Sequence, residues 1–198
     1  YYNFTGTVRL EPHTLRLRPK EGHDLRIESA SLDITPAATL RWHNDVEDNS
    51  VAIATFDTPT RQLVIESEIV IQQFNESPLD FLVDVYAAHY PFAYGAEDSI
   101  VLAPYLLTAT RQATDPLVQW VAGLWRADEP IQTYALLQRL CVHIHQSLSY
   151  QAREQPGVQT PADTLSRGTG SCRDFANLFI EAARYLGLAA RFVSGYLY

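Results

Sequence analysis

The sequence predicts an α+β protein in which a β-rich module, residues 1–100, precedes a largely helical module, residues 101–198. The first half contains short segments in which polar and apolar residues alternate, the period of a strand with one buried face. The second half repeats apolar residues at intervals of three and four, the period of a helix. Charge also changes along the chain: residues 1–105 carry 16 acidic and 7 basic side chains, whereas residues 106–198 carry 7 and 8. That change supports two modules.

The β-rich half consists of short alternating segments with turn residues between them. Segments 41–45 and 49–56 flank the acidic turn 46–48 and predict a hairpin. Several such strands favour a small antiparallel β-sandwich, and no catalytic constellation is visible in it. The loop 90–98, with its Pro and Gly, breaks both periodicities and marks the module boundary. The other predicted strands are 14–18, 24–28, 31–35 and 63–71.

Two helices are predicted early in the second half. The first begins at 114–116, which supplies an N-cap and a proline at the first helical position. Its apolar face consists of Leu117, Trp120, Val121, Leu124 and Trp125. The second begins near Asp128 and places Cys141 on its core-facing stripe, where we expect a small buried hydrophobe. That stripe consists of Tyr134, Leu137, Cys141, Ile144 and Leu148.

A short helical turn and a third amphipathic helix follow. Thr160 and Pro161 open the turn, and the glycines of 168–170 break it. Ser171 then has the position of an N-cap, and Asp174 completes a capping box three residues later. The apolar face of this helix is Phe175, Leu178, Phe179, Ala182 and Leu186. Gly187 ends the helix, and residues 190–198 have the pattern of a strand.

Composition excludes several functional classes. A hydrophobic share of 46%, a charged share of 19% and a net charge of −8 describe an ordinary globular protein. No basic face is available to neutralise phosphates, which argues against a nucleic-acid partner. No apolar run approaches the ~20 residues that span a bilayer, so we expect no membrane segment. Two cysteines make neither a disulfide framework nor a zinc site. We therefore expect reduced thiols in the cytoplasm, and no metal or other cofactor.

Cys172 is the candidate nucleophile. If Ser171 is the N-cap, the thiol lies in the first helical turn, where free N–H groups and the helix dipole favour a thiolate. Gly168 and Gly170 can adopt positive φ and leave the sulfur open to a substrate. The backbone N–H of Cys172 could donate to the oxyanion of a tetrahedral intermediate. The alternative is a small residue buried at a helix start.

The motif around this cysteine extends in both directions. It reads Gly-Thr-Gly-Ser-Cys-Arg-Asp at 168–174 and continues as Gly-Leu-Ala-Ala-Arg-Phe-Val-Ser-Gly-Tyr at 187–196. Together these stretches resemble the nucleophile segment of the transglutaminase-like superfamily, over about residues 160–198. The β-rich half, including His-Thr-Leu-Arg-Leu-Arg-Pro at 13–19, resembles the N-terminal region of the bacterial branch.

The resemblance implies a papain-like α+β core with a Cys-His-Asp triad, in which the His and Asp lie on strands after Cys172. Only 26 residues follow Cys172 and none is His. We therefore expect a core truncated before its general base, and an inactive chain. The implied substrate is a protein or peptide amide, with hydrolysis (protease or amidase) favoured over cross-linking. A non-catalytic scaffold or binding module that keeps the fold is the alternative, favoured by the missing His and Asp.

Other side chains are weaker candidates. Tyr150 could help to bind the oxyanion or could be a core-edge tyrosine. His143 and His145 are two apart on a helix, so they cannot both meet one sulfur. Asp174 is better explained as a cap than as a triad acid, and Arg173 as a solvated helix residue. A sheet cut after the 190–198 strand would leave an open edge, which predicts a homodimer.

Overall fold

The computed structural model describes residues 1–75, 77, 82–108, 115–126 and 129–196. The chain divides into two compact units, Tyr1–Phe81 and Leu82–Tyr198. This division lies upstream of the boundary expected at residue 100. The loop 90–98 and the residues around it belong to the second unit, since strand His89–Tyr90 pairs with strand Ile131–Gln132.

The described part of the first unit contains two three-stranded antiparallel sheets. One has the order β1-β6-β3 and the other β2-β5-β4. Segments predicted as two strands, 24–28 and 31–35, form the single strand β3, with a register shift between Ile27 and Ser29. The bounds are β1 (Tyr2–Val8), β2 (His13–Leu15), β3 (Leu25–Thr35), β4 (Ala38–Asn44), β5 (Ser50–Phe56) and β6 (Thr60–Gln73).

The inner faces of both sheets share one core. Ala54, Phe56 and Leu63 are buried at its centre. Partly buried residues from five strands and one loop surround them, namely Phe4, Leu10, Leu15, Ile34, Ala38, Leu40 and Ile65. The predicted antiparallel β-sandwich is confirmed, and apolar burial between the two sheets is what stabilises it.

The predicted hairpin is β4–β5. Asp45 organises its turn by accepting hydrogen bonds from the backbone N–H groups of Glu47 and Asn49, each at 3.0 Å. Hydrogen bonds from Asn49, first from its backbone and then from its side chain, lower the pKa of Asp45 to about 2.

The second unit is mainly helical. Among its described residues, a 3₁₀ turn, Val85–Ala87, precedes two short strand pairs and five helices. The strands are β7 (His89–Tyr90) with β8 (Ile131–Gln132), antiparallel, and β9 (Ser149–Tyr150) with β10 (Thr169–Gly170), parallel. The helices are α1 (Ala96–Leu106), α2 (Pro116–Ala122), α3 (Thr133–Ser147), α4 (Pro161–Arg167) and α5 (Cys172–Tyr185).

Helix α5 packs at the centre of this unit. Its buried residues Leu178 and Ala182 share a cluster with α2 and α3, and Ala183 enters a second cluster with Leu188. Phe175, Phe179 and Leu186 are partly buried against the same clusters, so the predicted apolar face of α5 is confirmed. Gly187 has φ +80° after the helix, as predicted for its C-terminus. The first-cluster partners from α2, α3 and the segment after α2 are Leu117, Val121, Leu124, Leu140 and Ile144.

Helix α3 differs from its prediction. It begins at Thr133 rather than near Asp128, because Ile131–Gln132 pair with β7; Asp128 itself, like Thr114, lies outside the described residues. The buried stripe is Leu136, Leu140 and Ile144, so Cys141 faces solvent. The prediction that Cys141 is buried was therefore wrong.

The predicted strand at 190–198 is also absent over the described residues 191–196. A strand needs a ladder partner, and the described part of the chain offers none to this segment. The chain is nevertheless anchored up to Ala190, whose N–H donates to the Tyr105 carbonyl at 3.0 Å. The open edge that suggested a homodimer is thus not formed here, and the dimer stays a prediction.

Candidate functional site

Cys172 is the first residue of α5, and Ser171 is the N-cap in extended backbone conformation. The carbonyl of Ser171 accepts from the backbone N–H groups of Asp174 and Phe175, each at 3.0 Å. Cys172 is exposed, unlike the small buried residue of the alternative interpretation. Within the described residues its backbone N–H meets no acceptor. An open thiol and a free N–H therefore lie together at the positive end of a 14-residue helix.

The strand pair β9–β10 carries the loop that leads into this turn. The backbone N–H of Ser149 donates to the Gly168 carbonyl, and that of Gln151 to the Gly170 carbonyl, both at 2.9 Å. In this register Gly170 lies opposite Tyr150. These two hydrogen bonds therefore hold the backbone of residues 168–170, which leads directly to Ser171.

The two glycines act for different reasons. Gly168 ends α4 with φ +65°, the left-handed conformation expected from the sequence. Gly170 does not have positive φ. A Cβ there would lie 2.9 Å from Cε1 of Phe175 and 3.0 Å from Cβ of Asp174. Gly170 is needed because β10 approaches α5 closely, a reason that the sequence did not reveal.

Tyr150 lies beside this loop through its backbone. Its side chain is 64% exposed, so it is not packed into a core edge. The expected role of Tyr150 in oxyanion binding stays a prediction.

Asp174 is completely buried, and it forms the predicted capping box with Ser171. Its carboxylate accepts from the Ser171 backbone N–H at 2.8 Å and hydroxyl at 2.7 Å, and from the Gln159 backbone N–H at 2.8 Å. Burial alone would raise the pKa of Asp174. Hydrogen bonds from Gln159, Ser171 and Arg153 outweigh burial and hold that pKa well below its usual range.

Arg153 completes the surroundings of Asp174, and sequence reasoning missed it. Its Nε lies 2.8 Å from Oδ2 of Asp174 and its Nη2 lies 3.4 Å from Oδ1. The Arg153 side chain is only 15% exposed. Arg153 and Asp174 are 21 positions apart in sequence, so no local sequence pattern predicts that they pair. The buried capping carboxylate of Asp174 was the only feature that indicated a need for a positively charged partner.

Arg173 is also not the solvated residue expected from the sequence. Its Nη2 donates to the backbone carbonyls of Gln155 and Arg153. Asn177 adds a hydrogen bond to the Gln159 carbonyl at 3.0 Å. Helix α5 thus binds the loop 153–159 through the side chains of Arg173, Asp174 and Asn177. The loop binds α5 through the side chain of Arg153.

The histidines of α3 do not complete a catalytic pair within the described chain. The ring of His143 lies against Trp120, with centroids 4.7 Å apart and ring planes tilted by 36°, and His145 is exposed. No hydrogen bond joins either imidazole to Cys172 among the described residues. In the same residues no group of three His, Cys, Asp or Glu side chains is arranged to hold a metal ion. Nor does any described helix have the length and apolarity required to cross a bilayer.

Two parts of this chain match models of known protein families. Residues 120–198 match the model of the transglutaminase-like superfamily, and residues 1–72 match the bacterial transglutaminase-like N-terminal region. The second half of this chain is thus similar to the transglutaminase-like superfamily. The resemblance based on the cysteine motif is thereby confirmed. The β-sandwich corresponds to the match at residues 1–72, and the helical core to the match at residues 120–198.

A solved structure shares this fold. It is the crystal structure of a "putative cysteine protease" from Cytophaga hutchinsonii, with a TM-score of 0.62 and 16% sequence identity. The match covers 92% of this chain and 61% of that chain. At this identity the likeness shows the fold, a β-rich module followed by a papain-like transglutaminase core. A comparison with curated proteins finds no match.

Proposed function

We propose that Cys172 is the nucleophile of a thiol acyl-transfer enzyme that attacks amide bonds in protein or peptide substrates. The observation that carries this proposal is the exposed thiol at the first residue of α5, beside a backbone N–H that is free within the described chain. The N-terminus of a helix attracts negative charge, and the thiolate is the reactive form of a cysteine. The transglutaminase-like family match supports the same assignment.

The chemistry proceeds in two steps. The Cys172 sulfur attacks the amide carbonyl carbon, and the carbonyl oxygen becomes an oxyanion to which the Cys172 N–H can donate. The C–N bond then breaks, the amine leaves with a proton, and a thioester remains on the sulfur. Water gives hydrolysis of that thioester, and a second amine gives cross-linking. The name of the structural neighbour supports our preference for hydrolysis.

The proton in these steps needs a general base, and among the described residues no histidine is hydrogen-bonded to Cys172. None of the residues after Cys172 is His, and His143 is engaged with Trp120. We therefore propose that the 198-residue chain has a reactive thiol but does not turn over amides. Mass spectrometry of a peptide library incubated with the chain tests this: Cys172-dependent cleavage or cross-linking would contradict it.

Alkylation kinetics test the nucleophile itself, and the chain contains its own matched control. Cys141 is a second exposed thiol, but it lies inside α3 rather than at a helix start. Cys141→Ser and Cys172→Ser each leave one thiol, whose reaction with iodoacetamide at pH 6 is followed by intact mass. We expect Cys172 to react roughly tenfold faster than Cys141. Equal rates in folded variants would count against the proposal.

The alternative, a scaffold or binding module that keeps the fold, is favoured by the lack of a His after Cys172. It predicts no enhanced reactivity at Cys172, so the same experiment separates the two.

We further propose a reducing compartment such as the cytoplasm, because both cysteines are free thiols.

A further inference from the structure

A buried ion pair lies in the same helical turn as the candidate nucleophile. Asp174 is two residues after Cys172, and its carboxylate caps the N-terminus of α5 through Ser171. A carboxylate at this position places a negative charge in the helical turn that also carries the Cys172 thiol. By itself, that charge repels a negatively charged sulfur in the same turn.

Arg153 offsets that charge. Its guanidinium bonds both oxygens of the Asp174 carboxylate, at 2.8 and 3.4 Å, in an environment where the carboxylate has no exposure to water. Charges that are shielded from water interact more strongly than exposed ones. Across the unit, Arg139 pairs with Glu129 at 2.8 Å, but both of those side chains are about two-fifths exposed, so that pair is screened.

The same contact fixes the position of the turn. Arg153 lies in the loop after β9, and the loop is tied back to α5 by Arg173 and Asn177. The reciprocal contacts of Arg153 and Arg173 hold the first turn of α5 against the loop 153–159. The loop in turn follows directly on the β9–β10 ladder that leads to Ser171.

We propose that Arg153 is a positioning residue for Cys172: it binds Asp174 and thereby compensates the negative charge in the first turn of α5. This inference rests on the proposed function, because it concerns the reactivity of the same thiol. Among the described residues Arg153 makes no hydrogen bond to Cys172, so its effect passes through Asp174.

The test measures alkylation of Cys172 in a Cys141→Ser background, with the fold of each variant checked by circular dichroism and thermal unfolding. We expect Arg153→Gln to slow the reaction about fivefold, because Asp174 is left uncompensated. Adding Asp174→Asn to Arg153→Gln removes that charge and should restore most of the rate. Arg139→Gln, which removes an exposed guanidinium elsewhere in the unit, is the matched control and should leave the rate unchanged.

Two outcomes overturn the proposal: a folded Arg153→Gln variant at the parent rate, or a double variant as slow as the single one, which would indicate a purely structural role. If Arg153→Gln does not fold, Asp174→Asn alone decides. Loss of the carboxylate beside a retained guanidinium should accelerate alkylation, and an unchanged or slower rate overturns the proposal. A parent Cys172 no more reactive than Cys141 would instead refute the proposed function.

Discussion

At the scale of single residues, the buried carboxylate of Asp174 combines two roles. It caps α5 through Ser171 and it anchors the loop 153–159 through the Gln159 N–H and Arg153. A buried charge is tolerated only when it is paired and hydrogen-bonded, and every one of these contacts favours the ionised form. Stability at this position is therefore coupled to pH.

The sign of that coupling follows from the depressed pKa of Asp174. In the unfolded chain an aspartate titrates near pH ~4, so its contribution to stability is complete above that value. The contribution is lost as the pH falls from about 4 through the lower pKa of the folded state. We expect Asp174→Asn to be less stable than the parent by about 3 kcal/mol at pH 7, since it leaves Arg153 without its charged partner.

Thermal unfolding at pH 7, 4 and 3 checks this expectation. The difference between parent and Asp174→Asn should shrink as the pH falls. Glu154→Gln removes an exposed carboxylate from the same loop and is the control, with no expected change. A difference in stability that is constant across these pH values would contradict the role of the Asp174 charge.

At the scale of elements, the start of α5 was predictable and the rotation of α3 was not. Ser171, Asp174 and Gly168 carry local signals that hold in any tertiary context. Helix α3 has apolar residues on two adjacent faces, so two stripes that share Ile144 fit the period equally well. Packing against α2 and α5 selects the stripe with Leu136 and Leu140 and leaves Cys141 outside. Arg153 escaped prediction for a similar reason, because a loop residue finds its partner only in the folded chain.

The two glycines around β10 give a matched pair of variants. Gly170→Ala places a methyl group against Phe175 and Asp174, and we expect a loss of about 1–3 kcal/mol as those side chains shift. Gly168→Ala meets no atom within 4 Å but keeps positive φ, so we expect a smaller loss of about 1 kcal/mol.

Urea unfolding gives the stability of both variants, and iodoacetamide kinetics report on Cys172. Only Gly170→Ala should also slow the alkylation, because only it disturbs the first turn of α5. A Gly170→Ala variant that keeps the parent's stability and rate would show that the close approach of β10 is not needed.

At the scale of the whole molecule, the two-part organisation was visible in the sequence. The alternation of polar and apolar residues predicted the β-sandwich, and the helical periodicity predicted the core. These two modules correspond to the family matches at 1–72 and 120–198. The compact units divide after Phe81, and the domain boundary at residue 100 stays a prediction. Pairing between β7 and β8 spans about forty residues, and such long-range contacts leave no local pattern.

The last described segment raises the question of self-association. Arg184 donates to the Ala190 carbonyl at 2.8 and 3.0 Å, so the chain is held up to that point. Beyond it, Phe192 and Val193 are 55% and 73% exposed. Neighbouring exposed apolar side chains favour association with another surface. The homodimer that we propose would therefore use this segment rather than an established sheet edge.

We expect sedimentation velocity of the chain to show a dimer that grows with protein concentration. Replacing both Phe192 and Val193 by Ser should shift the distribution to monomer, because it removes the apolar area that association would bury. Val46→Ser is the control, since Val46 is fully exposed but stands in the acidic turn of the other unit, where charge opposes contact between copies. A monomer at every concentration, or a dimer that persists in the double variant, would exclude this segment as the contact.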